Sequence, residues 1–324
     1  MSLLFRDIGG RSPTPAGSVV CIGAFDGLHR GHQALIGHAR ARARERGLPL
    51  VGLSFEPLPR EFFMAPEPPP RLSLPAAKLA LLDALEVDVV GLLRFNAAMV
   101  AMPADIFIRT VLVAKLQARE VWMGPDFRFG HRRGGDLGLL QRMGTELGFL
   151  TQALLLVEDA GQRVSSTAVR AALAAAEFDR AAALLGRRYA IPGRVVRGKQ
   201  LGRTLGYPTA NLRFGGKRPP MHGIFATWVH GVGEQPMASV SSLGTRPTVN
   251  GTEPLLEAHL FDFNGDLYGR RISVEFVAKL RDELKFDDLP ALIEQMDRDS
   301  AQARAILAGR PHAGHPQPLS LTTP

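Results

Sequence analysis

Cysteine is nearly absent from this chain of 324 residues, in which Cys21 is the single example. One cysteine excludes an intramolecular disulfide and any metal site built from several thiolates. Cys21 lies within an apolar stretch, residues 19–25. We therefore expect it to be a small buried core residue and not a nucleophile.

Long hydrophobic runs are also absent. No apolar segment reaches the roughly 20 residues that a membrane-spanning helix requires, and residues 1–7 lack the charged and apolar regions of a secretory signal. We expect a cytoplasmic protein with no membrane partner. Because 324 residues exceed the size at which one hydrophobic core usually suffices, the length predicts two domains.

Aromatic residues make up only 7% of the chain, whereas the formal net charge is +8. A basic protein can bind nucleic acid, but the densest basic segment, residues 40–46, alternates arginine with alanine and contains no aromatic residue. We favour a solvated helix face for this segment and expect no nucleic-acid partner. Nucleotides are polyanions too, so the charge is compatible with a nucleotide-binding enzyme.

The sequence does contain a glycine-rich turn between a predicted buried strand, residues 19–25, and a predicted helix. Glycines let backbone N–H groups approach an anion closely, and two histidines three residues apart share one helical face. Two isolated histidines near a turn could be solvated cap residues, but strand, glycines and helix together favour phosphate binding. The residues are Gly23, Gly27, Gly31, His29 and His32.

Residues 18–158 alternate strand-like and helical patterns, which predicts an α/β fold with a parallel sheet. A phosphate-binding turn after the first strand lies where ligands bind in such sheets, beyond the carboxyl ends of the strands. The later strands are predicted at residues 51–55, 87–95, 119–124 and 153–157, and the helices at residues 76–85, 104–116 and 137–147.

Three consecutive hydroxyl residues, Ser165, Ser166 and Thr167, precede a helical pattern over residues 168–185. Such residues are good helix N-caps, and capping alone would explain them. Followed by Arg170 on the first turn, they also form a socket for phosphate oxygens, which is the interpretation we favour.

After residue 186 the pattern changes to short strands separated by turns, which predicts a second, antiparallel β domain. We place the first domain at residues 1–186, the second at 187–308 and a disordered tail at 309–324. Strands are predicted at residues 189–197, 224–232, 237–243, 255–263 and 271–280, and a helix at residues 289–307.

Residues 193–211 form a second dense motif, in which glycines and basic residues alternate before a Pro-Thr-Ala-Asn sequence. Glycine N–H groups could wrap phosphates while the arginines neutralise them. For the glycines alone, a long β-hairpin with a solvated basic edge is the preferred explanation.

With these motifs the chain resembles the bacterial bifunctional riboflavin kinase/FAD synthetase family nearly from end to end. The resemblance rests on H-x-G-H at residues 29–32, S-S-T-x-x-R at 165–170, the Pro-Thr-Ala-Asn block, Gly-Thr-x-Pro-Thr at 244–248 and Glu-x-His-Leu at 257–260. It implies a Rossmann-like nucleotidyltransferase domain, then an antiparallel barrel with a terminal helix. It also implies conversion of riboflavin to FMN and of FMN to FAD, with ATP as co-substrate, ADP as product and Mg²⁺ as cofactor.

The resemblance further assigns residues to roles in both reactions. Its catalytic residues are Glu257, His29 and His32; its ATP- or phosphate-binding residues are Gly23, Phe25, Asp26, Gly27, Gly31, Ser165, Ser166, Thr167, Arg170, Gly193, Gly198, Gly202 and Arg203; its flavin-binding residues are Asp126, Phe127, Phe129 and Arg281; its metal ligands are Thr209 and Asn211.

Some of these assignments have alternatives in the residues themselves. Glu257 is expected to face inward on a leucine-rich strand and to act as a base, although a salt bridge with Arg246 would also account for it. Without the resemblance, Arg281 would be a solvated residue at a helix start. One position departs from the family, because Leu58 stands where many members carry histidine. Related folds serve other acceptors, including pantetheine and nicotinate phosphates, so the fold alone does not name the substrate.

Overall fold

The computed structural model describes residues 2–154, 157–159, 161–198, 206–248, 251–310 and 312, without the side chains of 246–248, 251 and 252. It divides into two compact units. The first comprises Met1–Pro69 and Lys78–Ser166, and the second Pro70–Ala77 and Thr167–Pro324. Residues 167–185 thus group with the second unit by their contacts, and the domain boundary at residue 186 stays a prediction.

The first unit is built on a six-stranded, fully parallel sheet in the order β1-β4-β3-β2-β5-β6, which confirms the predicted α/β class. Its first strand was not predicted, because it is three residues long and both of its leucines are exposed. The strands are β1 Leu3–Phe5, β2 Ser18–Ile22, β3 Leu50–Glu56, β4 Val89–Arg94, β5 Ala118–Met123 and β6 Leu150–Ala153.

Helices cover both faces of this sheet, and the central strand β2 is buried along its whole length. Alternate side chains of a strand point to opposite faces. Accordingly Val20 and Ile22 pack into one core cluster, and Val19 and Cys21 into the other. Burial on both faces explains the unbroken apolar run, and Cys21 is the buried core residue that the sequence predicts.

The helices of this unit include one, α1, that ends in a left-handed glycine cap at Gly47. They are α1 Arg30–Arg46, α2 Pro59–Phe63, α3 Pro75–Ala84, α4 Ala97–Ala101, α5 Ala104–Phe107, which continues as a wider π-type helix over Ile108–Lys115, a 3₁₀ turn at His131–Arg133, and α6 Leu137–Leu147. A short hairpin of β7 Glu158–Asp159 and β8 Gln162–Arg163 follows β6.

The basic segment of α1 is exposed at Arg44 and Arg46, as expected, but its arginines also pair with acidic residues. Arg42 and Arg46 both donate hydrogen bonds to Glu120, whose side chain is fully buried, while Arg40 and Arg44 pair with Glu86. Burial alone would raise the pKa of Glu120, but the hydrogen bonds from Arg42, Arg46 and Trp122 outweigh burial and lower the pKa. The arginines therefore have partners inside the unit.

The second unit begins with two helices, α7 Ser166–Ala174 and α8 Phe178–Leu185, where the sequence predicted one continuous helical pattern. The break falls at Ala176, whose φ of 57° is left-handed and cannot continue a right-handed helix. Phe178, on α8, packs edge-on against the buried Phe225 of the following β region.

Antiparallel strands then form a nearly closed barrel, which confirms the predicted fold of this region. It has six strands in the order β10-β13-β12-β11-β14-β9, of which β10 was not predicted. Val196 N donates to Asn211 O at 2.9 Å, which brings the chain after β9 against the other edge strand, β10. The strands are β9 Ala190–Arg194, β10 Ala210–Arg213, β11 Gly223–His230, β12 Met237–Thr248, β13 Gly251–Leu260 and β14 Arg271–Arg281.

The terminal helix, α9 Leu289–Gly309, packs on this barrel. Its Ala303 and Leu307 are buried against Phe261 and Val277. Except for residues 309, 310 and 312, the predicted tail lies outside the described residues. In the described part of the chain, no helix combines the length and apolarity that a membrane crossing would demand.

Candidate active sites

The first candidate site lies at the point where the sheet reverses its order. From β2 the chain proceeds to β3 and β4 on one side, and β5 then returns to the other side of β2. The loops that leave the carboxyl ends of β2 and β5 therefore border the crevice in which open α/β sheets bind ligands. The first of these loops carries His29, and the second carries Asp126 and Phe127.

The loop after β2 folds tightly around a buried aromatic ring. The backbone of Phe25 has φ 48° and its ring is fully buried. A Cβ at Gly23 would lie 2.8 Å from that ring, so only glycine fits there. Gly27 has φ 79°, and a Cβ at Gly31 would press on the His29 ring at 3.2 Å. The three glycines thus permit close packing as well as exposure of backbone N–H groups.

His29 and His32 are brought together at the start of α1, as their spacing predicts. Their rings stack with centroids 3.7 Å apart, and Phe25 meets His32 edge-on at 5.3 Å. His29 is the N-cap, since its Nδ1 accepts a weak hydrogen bond from His32 N at 3.4 Å. One histidine therefore caps the helix, and the other stands over its first turn.

His32 is held in its neutral form. Burial lowers its pKa well below the usual value, and the positive charges of His29 and Lys78 lower it further. Its Nδ1 is buried and has no hydrogen-bond partner among the described residues. An imidazole that is neutral near pH 7 can donate or accept a hydrogen bond without carrying charge.

The hydroxyl motif divides between the two units. In the first, Ser166 Oγ donates to the backbone oxygen of Asp26 at 2.9 Å, which ties the motif to the loop after β2. Ser165 is half-buried and Asp26 is 1% exposed. In the second, Thr167 is exposed, and Arg170 Nε donates to Pro70 O at 2.6 Å. Their roles toward ATP stay predictions.

The loop after β5 carries the three predicted flavin-binding residues of the first unit, which differ in solvent exposure. Asp126 is exposed and paired with Arg163 at 2.6 Å, and Phe127 is half-buried. Phe129 is 7% exposed and packs against Phe107, with ring centroids 5.5 Å apart. Of the three, Phe127 and Asp126 are the side chains that solvent reaches.

Sequence reasoning missed an aromatic cluster at the same edge of the sheet. Phe62 and Phe63 on α2 and Phe95 just after β4 contact one another pairwise at 5.7 Å between ring centroids. Phe63 is 63% exposed and Phe62 39%. Aromatic residues are scarce in this chain, so two exposed rings next to the ends of buried strands are unusual. The adjacent pair Phe62 and Phe63 was the signal that the sequence offered.

The second candidate site lies on edge strand β10 of the barrel and its neighbour β13. Asn211 on β10 and Glu257 on β13 are direct cross-strand partners. Thr209 Oγ1 donates to Glu257 Oε1 at 3.4 Å, and Asn211 Nδ2 donates to Thr209 O at 3.1 Å and to Thr209 Oγ1 at 3.3 Å. The structure thus brings together three residues that the resemblance names separately.

One polar atom of this cluster stands out. Asn211 is 4% exposed, and its Oδ1 is buried without a hydrogen-bond partner among the described residues. A Cβ at Gly198 would lie 2.7 Å from that oxygen, so this glycine leaves the space next to it open. Gly193 lies in β9 against Leu212. Gly202 and Arg203, as well as the side chain of Arg246, lie outside the described part of the chain.

The expectation that Glu257 faces a leucine-filled interior is wrong. Leu256 and Ala258 are fully buried, whereas Glu257 between them is half-buried. Because side chains alternate along a strand, Glu257 points to the opposite face, which it shares with its partners Asn211 and Ser242. The carboxylate therefore needs no buried countercharge to be tolerated.

Arg281, the predicted flavin contact of the second unit, is engaged within the protein. Its guanidinium forms a bidentate pair with Asp299, with Nη2 to Oδ2 at 2.6 Å and Nε to Oδ1 at 2.9 Å. Asp299 is 4% exposed, and it also accepts a hydrogen bond from Gln295. The role of Arg281 toward flavin stays a prediction.

Glu283, two residues further on, is a group that sequence reasoning missed. Its carboxylate lies directly against Gly244 and leaves no room for a Cβ there. Partial burial raises the pKa of Glu283; nearby His222 opposes this shift, and the negative charge of Glu257 adds to it. Two carboxylates thus lie close enough in this unit to influence each other.

The comparisons with known proteins agree with this division into two sites. The FAD synthetase family model matches residues 11–168, and the riboflavin kinase family model matches residues 185–307. The chain belongs to the bifunctional riboflavin kinase/FMN adenylyltransferase family. The resemblance seen in the sequence is thereby confirmed over both halves of the chain.

Members of this family are similar to the chain over nearly its full length. The bifunctional riboflavin kinase/FMN adenylyltransferase of Escherichia coli K12 is 44% identical over 302 residues, which cover 93% of this chain and 96% of that protein. The protein of the same description from Pseudomonas fluorescens is 44% identical over 310 residues, which cover 95% of this chain and 99% of that protein.

A solved structure supports the fold of both units. It is described as a macrolide-efflux protein from Streptococcus pneumoniae, is 31% identical and aligns with a TM-score of 0.74. The alignment covers 94% of this chain and 98% of that one.

Proposed function

We propose that the chain phosphorylates riboflavin to FMN in its second unit and adenylylates FMN to FAD in its first unit, with ATP as the donor in both steps. The observation that carries this proposal is that each unit holds a reactive cluster of its own. These clusters are His29–His32 in the first unit and Thr209–Asn211–Glu257 in the second. The activities named for relatives at 44% identity support it.

In the kinase step, a hydroxyl oxygen of riboflavin attacks the γ-phosphorus of ATP, the bond to ADP breaks and the hydroxyl loses its proton. Glu257 accepts that proton as general base. Its carboxylate is half-buried and oriented by the hydrogen bond from Thr209. Positioning of the attacking hydroxyl supplies much of the rate in phosphoryl transfer, since the transition state requires little covalent assistance.

The oxygens of this cluster fit Mg²⁺. Asn211 Oδ1 is buried and has no partner among the described residues, and Thr209 Oγ1 lies 3.3 Å from Nδ2 of the same amide. Mg²⁺ commonly takes one or two protein oxygens and completes its shell with waters and substrate phosphates. When bound, the ion would neutralise charge on the phosphates of ATP. No cluster of three or more His, Cys, Asp or Glu ligands occurs within the described residues, so a metal held by the protein alone has no support there.

In the adenylylation step, a phosphate oxygen of FMN attacks the α-phosphorus of ATP and pyrophosphate leaves. Negative charge develops on the leaving oxygen. His32, which its surroundings keep neutral, donates a hydrogen bond to that charge together with backbone N–H groups at the start of α1. His29 supports the ring of His32 by stacking, and its replacement would also remove the helix cap.

The flavin ring of FMN requires an apolar surface near this loop. Phe62 and Phe63 offer exposed aromatic faces and Phe95 a half-buried one at the carboxyl end of the same sheet, and Phe127 lies on the loop after β5. Aromatic rings stack favourably on one another when offset or edge-on. We assign the flavin to this edge.

The test is to incubate the purified protein with riboflavin, ATP and Mg²⁺ and to separate the flavins by chromatography. FMN should form first with one ADP per FMN, and FAD should follow with one pyrophosphate per FAD. FMN supplied directly should yield FAD without ADP, and a chelator should stop phosphorylation of riboflavin. Conversion of neither flavin would overturn the proposal. Formation of FAD from FMN without any phosphorylation of riboflavin would overturn the kinase part of it.

A further inference from the structure

Lys78 is a fully buried lysine that the proposed mechanism does not use. It lies on α3, where it interrupts a predominantly apolar helix. Burying an ammonium group is unfavourable unless the protein supplies hydrogen bonds or a countercharge. What Lys78 binds therefore indicates why the position carries a charge.

Its Nζ lies directly behind the loop that carries the two histidines. It donates to Ala24 O at 2.8 Å and to Ser54 Oγ at 3.2 Å, and Ser54 Oγ itself donates to Ala24 O at 3.1 Å. Ala24 follows β2 by two residues, and Ser54 is a fully buried residue of β3. The three groups form a closed triangle that joins α3, β3 and the loop.

This triangle fixes the loop at its first peptide groups. A carbonyl oxygen has two acceptor positions, and Ser54 and Lys78 provide a donor for each at Ala24. The next residue, Phe25, holds the left-handed φ of 48°, a conformation that non-glycine residues seldom adopt and that the surroundings must impose. The loop then reaches His29 and the N-terminus of α1 within four residues.

Lys78 also acts on His32 through its charge. Burial is the main reason that the pKa of His32 is low, and the charges of His29 and Lys78 reinforce it. The groups that face His32 are His29, stacked on it, Phe25 at its edge and Lys78 from α3, while Asp26 is the acidic residue of the same loop. A positive charge behind the loop also favours an anion in front of it.

We propose that Lys78 is a positioning residue for adenylyl transfer, which clamps the Ala24 carbonyl to Ser54 so that the loop N–H groups and His32 are held toward the triphosphate. The inference rests on the proposed adenylyltransferase function of this loop. Lys78 does not touch the reacting atoms; it determines where His32 and the backbone donors stand. A misplacement of about 1 Å in such a site can lower the rate about a hundredfold.

The chain offers a matched control in Lys115, a second buried lysine of the same unit. Its Nζ also donates to backbone carbonyls, those of Gly9 and Arg11, at 2.5 and 2.8 Å. It lies at the end of the π-type helix and contacts no residue of the histidine loop in the described structure. Lys115→Met therefore removes the same kind of interaction without altering the loop.

The experiment compares full-length wild type with Lys78→Met, Lys78→Arg and Lys115→Met, measuring kcat and KM for adenylylation of FMN from pH 5 to 9. Riboflavin phosphorylation and thermal unfolding are measured in parallel. Lys78→Met should lower kcat for adenylylation about tenfold to a hundredfold, with unchanged phosphorylation. The acid limb of its pH profile should move to higher pH, because His32 then protonates more easily.

Lys78→Arg should leave the acid limb in place, since the charge is retained, and should recover part of kcat. Lys115→Met should affect thermal unfolding only. Equal loss of adenylylation in Lys78→Met and Lys115→Met, or an unmoved acid limb in Lys78→Met, would overturn the inference. Wild type that forms no FAD at all would instead contradict the proposed function.

A second variant covers the case in which Lys78→Met does not fold. Ser54→Ala keeps the charge and removes one corner of the triangle. It should lower kcat for adenylylation several-fold with no shift of the pH profile, and wild-type kcat in a folded Ser54→Ala protein would refute the clamp.

Discussion

The two candidate sites are assembled in opposite ways. In the first unit the reactive groups lie within ten residues of one another, on a turn that buried side chains hold from behind. In the second unit Thr209 and Glu257 are 48 positions apart and meet only because β10 pairs with β13 in the observed register. The first site is therefore a property of a local segment, and the second is a property of the barrel.

The sharpest way to separate the two sites is to remove the proposed base. Glu257→Gln should lower riboflavin phosphorylation by about 10²- to 10⁴-fold, the range that general-base catalysis contributes. Adenylylation of added FMN should continue at the wild-type rate. Glu253→Gln is the matched control, because Glu253 lies on the same face of the same strand, four residues away. Loss of both activities in a folded Glu257→Gln protein would break the comparison.

His32→Ala is the corresponding change in the first unit. Loss of a preorganised donor to a developing anion costs on the order of a hundredfold or more in rate. FAD formation and pyrophosphorolysis should fall together, because both directions pass through one transition state, while riboflavin phosphorylation stays near normal. His38→Ala, on the exposed part of the same helix, should leave both directions unchanged. FAD synthesis at the wild-type rate by a folded His32→Ala protein would mean that the histidines serve only as helix-cap residues.

A smaller effect is expected from the packing of the loop itself. At Gly23 an added methyl group would lie 2.8 Å from the buried ring of Phe25, so Gly23→Ala must displace the loop. We expect adenylylation to fall about tenfold, with unchanged kinase activity. Gly37→Ala, in the middle of α1 with no atom within 4 Å of the new Cβ, should retain activity and stabilise the helix by about 0.5–1 kcal/mol. Equal activities of the two variants would show that the loop is not tightly packed.

The smallest effect concerns stability. The folded chain keeps His32 neutral because its pKa is lowered, whereas the unfolded chain binds a proton near pH 6.5. Unfolding therefore takes up a proton at His32 below about pH 6.5, and the free energy of unfolding should decrease there by up to about 1.4 kcal/mol per pH unit. Denaturant unfolding between pH 5.0 and 7.5 should show a shallower decrease for His32→Asn. Parallel curves would mean that His32 titrates normally.

What the sequence could predict follows the same division. The helix at residues 137–147 and the strand–glycine–helix unit around His29 were predicted closely, since their patterns are local. Strand β10 was missed because its four residues are defined by pairing with β13 and not by their own pattern. For the same reason the orientation of Glu257 was predicted wrongly.

Other features were hidden because they arise only in three dimensions. Lys78 looks like one polar residue in an apolar helix until Ser54 and Ala24 are brought next to it. The arginines of α1 look solvated until β5 places Glu120 beneath them. Residue types revealed the chemistry that each segment can perform, and tertiary pairing decided which partners each side chain received.

The lone cysteine has a practical consequence. Cys21 is fully buried in the central strand, and burial raises its pKa to about 12. Since thiolates and not thiols react with maleimides and iodoacetamides, the native thiol should stay unmodified in the folded protein at neutral pH. A cysteine introduced at an exposed position would then be labelled alone. Fluorescent or spin probes can be attached to either unit while the natural Cys21 is kept in place.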